Sequence, residues 1–249
     1  MKFIEKYSRR SFIIRDDTKQ ADARHFFFVI MYMSAILFSV WTNEAMAGVW
    51  QDDFEGPALG DFWRGDIDNF SLQDGKLQGR SAHPILVFPR FIEIGNDWTD
   101  YTVQCQVNVI EPNLLECSKG AFLLRYKEKE GYVFALHVAT ESVEVYRFSG
   151  ERLLSVQMPL QLKTWYTLRT EVQGNNFIFY VDNKHIGTLQ DHLSSKGSVG
   201  LLVEDALSVL FDNFWVSGPD IPSGGHGTAS IKSWGKKAIV WAELKARSQ

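Results

Sequence analysis

The sequence predicts an all-β chain whose folded body is a sandwich of two antiparallel sheets. From Val49 onward, segments of five to ten residues rich in Val, Ile, Phe, Tyr, Leu and Thr alternate with Gly, Asn and Asp punctuation. No amphipathic helical pattern longer than two turns occurs before residue 229, which removes the helical and α/β classes. The 249 residues are 45% hydrophobic, 14% aromatic and 22% charged, enough for one large domain with a full core and far from a disordered composition.

The elements follow in order. Residues 70–79 form a hairpin, because Asp74-Gly75 supplies the positive φ of a two-residue turn. Further strands are expected over 86–94, 101–110, 120–127, 132–139, 142–148, 152–157, 165–172, 177–181, 184–189, 198–203 and 207–216, so that about a dozen make two sheets. Glu130-Gly131, Ser149-Gly150, Gly174-Asn175 and Asp182-Asn183 supply tight connections between them. Period-two alternation sets Tyr166, Leu168 and Thr170 against Trp165, Thr167 and Arg169, and Phe177, Phe179 and Val181 against Ile178 and Tyr180. Both faces therefore carry aromatics: one is core, and the other is a second layer or a binding surface. Cys105 shares the core phase of Tyr101, Val103, Val107 and Val109, while Cys117 falls in the following loop. In a simple hairpin residue 105 faces residues near 124, so a bridge between the two cysteines needs another arrangement.

Ahead of the body, residues 1–24 form a basic flank, residues 26–41 an uncharged apolar run, and Ala45-Met46-Ala47 a small-x-small cleavage site that would release Gly48. Sixteen residues at helical rise span only ~24 Å, short of the ~30 Å hydrocarbon core, so the run reads as a signal peptide rather than a retained span. Ser8-Arg9-Arg10-Ser11-Phe12-Ile13 resembles a twin-arginine export motif, although Asp16, Asp17 and Asp22 separate it from the apolar run. The expected organisation is a signal peptide over 1–47, the sandwich over 48–218 and a linker with a basic tail over 219–249. The expected address is secreted, periplasmic or cell envelope.

After cleavage the chain carries 19 basic against 25 acidic residues, a net of −6, which excludes nucleic acid as a partner. Residues 48–218 hold 14 against 23, so the compensating positive charge sits in the tail. There, Pro219, Pro222, Gly224, Gly225 and Gly227 mark a linker. Ile231, Trp234, Ala238 and Trp241 then recur at helical spacing among Lys232, Lys236, Lys237 and Arg247. This predicts a short basic amphipathic helix that docks on its own acidic sandwich or touches an anionic surface or a partner.

Five pieces in order carry a family resemblance. They are Gly131-Tyr132, Trp165-Tyr166-Thr167-Leu168, Asp182-Asn183-Lys184-His185-Ile186-Gly187, Gly197-Ser198-Val199-Gly200-Leu201 and Phe211-Asp212-Asn213-Phe214. Over residues 49–217 the chain resembles the concanavalin A-like lectin/glucanase superfamily, in particular its laminin-G-like and 3-keto-disaccharide hydrolase branches. The resemblance implies a two-sheet antiparallel jelly-roll sandwich that often holds carbohydrate. It also implies a structural calcium where the first strand, an early turn and the last strand meet, which carries over here to Asp53, the carbonyl of Gly75 and Asp212. The Glu-x-Asp-x-x-Glu acid pair of the family-16 glucanases is absent from the sequence, and the histidines lack metal-ligand spacing.

Sugar binding needs an aromatic platform beside hydrogen-bonding side chains. Arg125, read as outward against Phe122 and Leu124, beside Tyr132 on the next strand, is the leading pair; His137, Glu144 and the loop residue Trp63 are further candidates. The function expected is an exported non-catalytic carbohydrate-binding or adhesion module with a glycan or cell-surface polysaccharide as partner. The alternatives are a hydrolase of the 3-keto-disaccharide type and a laminin-G-like protein-interaction module.

Overall fold

The computed structural model describes residues 47–81, 89–113 and 117–226. The expected signal segment, apart from Ala47, and the expected tail helix lie outside the described residues. Among the described residues nine strands form one sheet: β1 (Gly48–Asp52), β3 (Phe70–Gln73), β4 (Lys76–Ser81), β6 (Tyr101–Pro112), β11 (Tyr166–Gln173), β12 (Asn176–Val181), β13 (Lys184–Gln190), β15 (Ala206–Gly218) and β16 (Gly224–His226). Seven form the other: β2 (Arg64–Gly65), β5 (Arg90–Trp98), β7 (Lys119–Lys127), β8 (Glu130–His137), β9 (Ser142–Arg147), β10 (Arg152–Gln157) and β14 (Gly197–Glu204).

The nine-stranded sheet runs β13-β12-β11-β6-β15-β1-β16, with β4 also on β15 and β3 on β4. The 13-residue β15 is long enough for β4 to pair with its first half and β1 with its second. The seven-stranded sheet runs β10-β9-β8-β7-β14-β5-β2. Pairing is antiparallel except between β1 and β16. This is the expected sandwich, and the expected strands lie within a few residues of those observed, residues 86–88 of the strand expected over 86–94 lying outside the described residues.

The linker expected from Pro219 onward needs correction, because Gly224–His226 is a strand hydrogen-bonded parallel to β1. Composition misled there for a physical reason. Gly225 has φ +96, and a Cβ on it would lie 1.8 Å from the Gln51 carbonyl oxygen. A close backbone approach therefore demands the residue that also marks linkers.

Alternation fills the space between the sheets. Val103, Cys105 and Val107 of β6, Leu168 of β11 and Phe177 and Phe179 of β12 are fully buried against Phe122 and Leu124 of β7 and Tyr132 and Phe134 of β8. Phe134 meets Phe179 at 4.9 Å and Tyr132 meets Phe177 at 4.6 Å between ring centroids. Each such pair contributes about 0.5–1.5 kcal/mol beyond burial. Cys105 is wholly buried, and its thiol donates to the carbonyl of Asp212 at 3.2 Å.

One end of the sandwich is closed by a buried polar network. Arg125 breaks the alternation of β7: its φ is +46, and the register with β8 shifts between Leu124 and Lys127. Its side chain is 1% exposed. It donates from Nε and Nη2 to the Thr99 carbonyl at 3.1 and 2.7 Å and from Nη1 to the Ser194 carbonyl at 3.1 Å. Alongside it, the Tyr132 hydroxyl donates to Asp191 Oδ1 at 2.6 Å, and Arg147 Nη2 donates to Oδ2 at 2.6 Å. Burial alone would raise the Asp191 carboxyl, but the bonds from Tyr132, the Leu193 N–H and Arg147 outweigh it and hold it at about 2.

Two outcomes follow. Arg125→Ala leaves the Thr99 and Ser194 carbonyls without their donors and should cost about 3 kcal/mol in urea denaturation. Asp191 has a folded pKa below its ordinary 3.8, so its stabilisation is present above that value and lost as pH falls toward about 2. Denaturation midpoints taken between about pH 5 and pH 2 should therefore fall more steeply for the natural chain than for Asp191→Asn.

Candidate functional site

The outer face of the seven-stranded sheet carries the chemistry. Three rows cross it by register: Glu204, Lys119 and His137; then Leu202, Ala121, Ala135 and Glu144; then Gly200, Leu123, Val133, Tyr146 and Arg152. The middle of the face is thus a floor of small and aliphatic residues, with Ala121, Leu123, Val133, Ala135 and Leu202 all buried. Phe91, Tyr126, Tyr146 and Phe148 pack around it. Three of these form an aromatic group, with centroids 4.9 Å apart for Phe91 and Tyr126, 4.8 Å for Tyr126 and Phe148, and 5.7 Å for Phe91 and Phe148.

One side of the floor is charged. Lys119 Nζ lies 3.2 Å from Glu204 and 3.8 Å from Glu144, and Arg152 reaches Glu144 at 3.4 Å. The Tyr146 hydroxyl donates to Glu204 at 2.8 Å, and its ring lies 4.9 Å beneath the Lys119 ammonium. Burial pushes the Tyr146 phenol well up, with the Glu204 charge adding to it. Both carboxylates are thus held by cations, an arrangement suited to fixed hydrogen-bonding geometry.

On the other side a polar cleft of about 310 Å³ opens between Glu93, Asn96, Asp97, Tyr126, Lys127 and Ser198. That volume is at the small end of ligand sites. The Ser198 hydroxyl shares its proton between the Glu93 carboxylate and the Tyr126 carbonyl. Asp97 accepts from Lys127 at 2.8 Å and pairs with Lys196 at 3.3 Å; those two bonds hold its carboxyl below the ordinary range. The cleft therefore offers an aromatic face, an amide, a hydroxyl, carboxylates and ammonium groups together, a donor and acceptor set for a hydroxyl-rich ligand.

The sequence-predicted residues divide. His137 and Glu144 lie together on this face, His137 Nδ1 being 3.5 Å from Glu144 Oε1. Arg125 and Tyr132 do not: the bulge turns Arg125 inward, against the outward phase expected, and Tyr132 is fully buried in the core. Trp63 is 4% exposed and plugs the end of the sandwich, donating from Nε1 to Asp52 at 2.9 Å. Tyr126 escaped sequence reasoning because an ideal alternation through β7 places Arg125, not Tyr126, outside, and Phe91 and Phe148 join it only through the tertiary packing. Lys119 and Glu204 lie just outside the strands expected over 120–127 and 198–203, and only the register brings them opposite each other.

Asp53, Gly75 and Asp212 share a neighbourhood to which Glu55 also belongs. A Cβ on Gly75 would lie 2.5 Å from both Glu55 carboxylate oxygens, so the bare backbone makes room for that carboxylate. Burial raises the Asp212 carboxyl, and the charges of Glu55 and Asp53 raise it further against Lys76. These hard oxygen donors are of the type calcium takes. Among the described residues no three His, Cys, Asp or Glu side chains form a ready metal-binding group.

No family model matches the chain. A levanase of Bacillus subtilis (strain 168) is 23% identical over 177 residues, which cover 68% of this chain; the chain spans only 22% of that protein's length. The carbohydrate binding module CBM66 from Bacillus subtilis superimposes with a TM-score of 0.51 at 22% identity, covering 70% of this chain and 97% of that one. The β-glucanase of Bacillus licheniformis gives a TM-score of 0.51 at 11% identity over 68% of this chain and 97% of its own. With the two-sheet antiparallel topology, these likenesses establish that the chain has the concanavalin A-like lectin/glucanase fold.

Proposed function

We propose that this chain is a non-catalytic glycan-binding module whose ligand lies on the outer face of the seven-stranded sheet. The observation that carries the proposal is the position of Tyr126, which the Arg125 bulge brings to the same face as Phe91 and Phe148 and to the wall of the polar cleft. Pyranose and furanose rings present apolar C–H faces to aromatic side chains, while their hydroxyls need the amide, carboxylate and ammonium partners beside them. The likeness to nearly the whole of a carbohydrate binding module, and to a part of a levanase, supports glycan binding. Glu144 and Glu204 are the two carboxylates a hydrolase would use on this face, but their ion pairs with Lys119 and Arg152 favour binding.

Export belongs to the same proposal. That β1 begins at Gly48 supports a cut after Ala47, and N-terminal sequencing of the exported chain should read Gly48-Val49-Trp50.

On a glycan array the chain should show saturable binding, and Tyr126→Ala with Phe148→Ala should weaken it about tenfold or more. A blank array with and without calcium overturns the proposal. Release of reducing ends from a bound polysaccharide, lost in Glu144→Gln or Glu204→Gln, would favour the hydrolase reading instead.

Calcium at Asp53, the carbonyl of Gly75 and Asp212 is a further proposal. It predicts a calcium-dependent rise in Tm that Asp212→Asn abolishes. Because the folded Asp212 carboxyl is raised, its ionisation opposes folding at neutral pH. Without calcium, Asp212→Asn should therefore raise Tm near pH 7, and the gain should vanish in acid, where the natural carboxyl is protonated.

A further inference from the structure

We infer that the opposite face of the molecule, the outer face of the nine-stranded sheet, is a second and independent platform for a neutral polysaccharide chain. The register places Trp215 opposite Gln104, Gln104 opposite Arg169, Arg169 opposite Tyr180, and Tyr180 opposite His185. One unbroken row of aromatic and hydrogen-bonding side chains thus crosses β15, β6, β11, β12 and β13. All five are half-buried or exposed.

Three members of the row contact one another. The Arg169 guanidinium lies 4.0 Å over the Tyr180 ring and donates to Glu171 at 2.7 Å. Tyr180 in turn meets His185 edge-on at 5.7 Å, and His185 Nε2 is 3.1 Å from the Thr188 hydroxyl. A sandwich needs no such groups on an outer face, where isolated polar residues suffice.

The chemistry selects the ligand class. Neighbouring strands are ~4.8 Å apart, close to the advance of one sugar unit along an extended chain, so a polysaccharide lying across the strands meets one side chain of the row per unit. Trp215 supplies the stacking surface, and Gln104, Arg169 and His185 supply donors and acceptors for hydroxyls. The row's one guanidinium is neutralised by Glu171, which disfavours polyanions such as nucleic acids that require several unpaired cations. Trp215 is the row's one large apolar surface, too little for a protein-docking patch.

The test is affinity electrophoresis of the full chain in gels containing laminarin, xylan or inulin, with near-UV circular dichroism to confirm folding. In the Tyr126→Ala/Phe148→Ala background, retardation by at least one of these should persist, weakened but saturable. Adding Trp215→Ala should reduce it at least fivefold, and Gln104→Ala/His185→Ala, which leaves the core untouched, should do the same. No retardation in the Tyr126→Ala/Phe148→Ala background, or retardation unchanged by both sets of substitutions, overturns the inference. Retardation lost with Trp215→Ala alone but indifferent to Tyr126 and Phe148 upholds it while defeating the site on the opposite face.

Discussion

The guanidinium of Arg125 is taken out of water with a single carboxylate beside it, Asp100 Oδ1 at 3.6 Å, and its hydrogen bonds go to backbone carbonyls. Such a group stays folded in because its donors are satisfied, Asp100 offsets its charge, and its guanidinium carbon lies 5.2 Å over the Phe177 ring. The consequences reach three segments. Thr99 and Asp100 in the turn before β6, Ser194 in the loop before β14, and β7 itself are fixed to one another, and the Arg125 N–H adds a bond to the Tyr101 hydroxyl at 3.1 Å. Around the same point, Tyr132, Asp191 and Arg147 tie β8 and β9 to that loop. The loop preceding β14 is therefore a polar plug held by two arginines.

The same bulge decides which side chains face outward. A left-handed residue in the middle of β7 advances the alternation by one, turning Arg125 into the core and Tyr126 out to the aromatic group. A local backbone departure, unfavourable for a residue with a Cβ, is offset by the buried hydrogen bonds it permits. The polar closure of the sandwich and the composition of its candidate binding face are thus one structural event.

At the far end of β1 a different logic applies. Asp52 is 3% exposed, and burial raises its carboxyl despite bonds from Trp63 Nε1 and the Phe54 N–H. Asp53, Glu55 and Asp212 add further acidic charge nearby. Negative charge is concentrated here with Lys76 as the cation that acts on Asp212, whereas the outer face of the seven-stranded sheet pairs each buried carboxylate with a cation.

The sequence by itself determined the class of fold, the hairpin at Asp74-Gly75, the positions of most strands and the core phase of β6, β11 and β12. These depend on local rules: period-two burial and the φ demands of turns. His137 and Glu144, which keep ideal alternation on regular strands, stand together on one outer face. Only the tertiary structure decided Arg125, Tyr126 and β16. A bulge has no composition signature in an arginine, and Gly224-Gly225-His226 becomes a strand because β1 offers it an edge. The rows on both outer faces belong to that second category, since which residues stand side by side is set by strand order and register, which join Gln104 to Arg169 and Trp215, and Lys119 to Glu204, from distant parts of the chain.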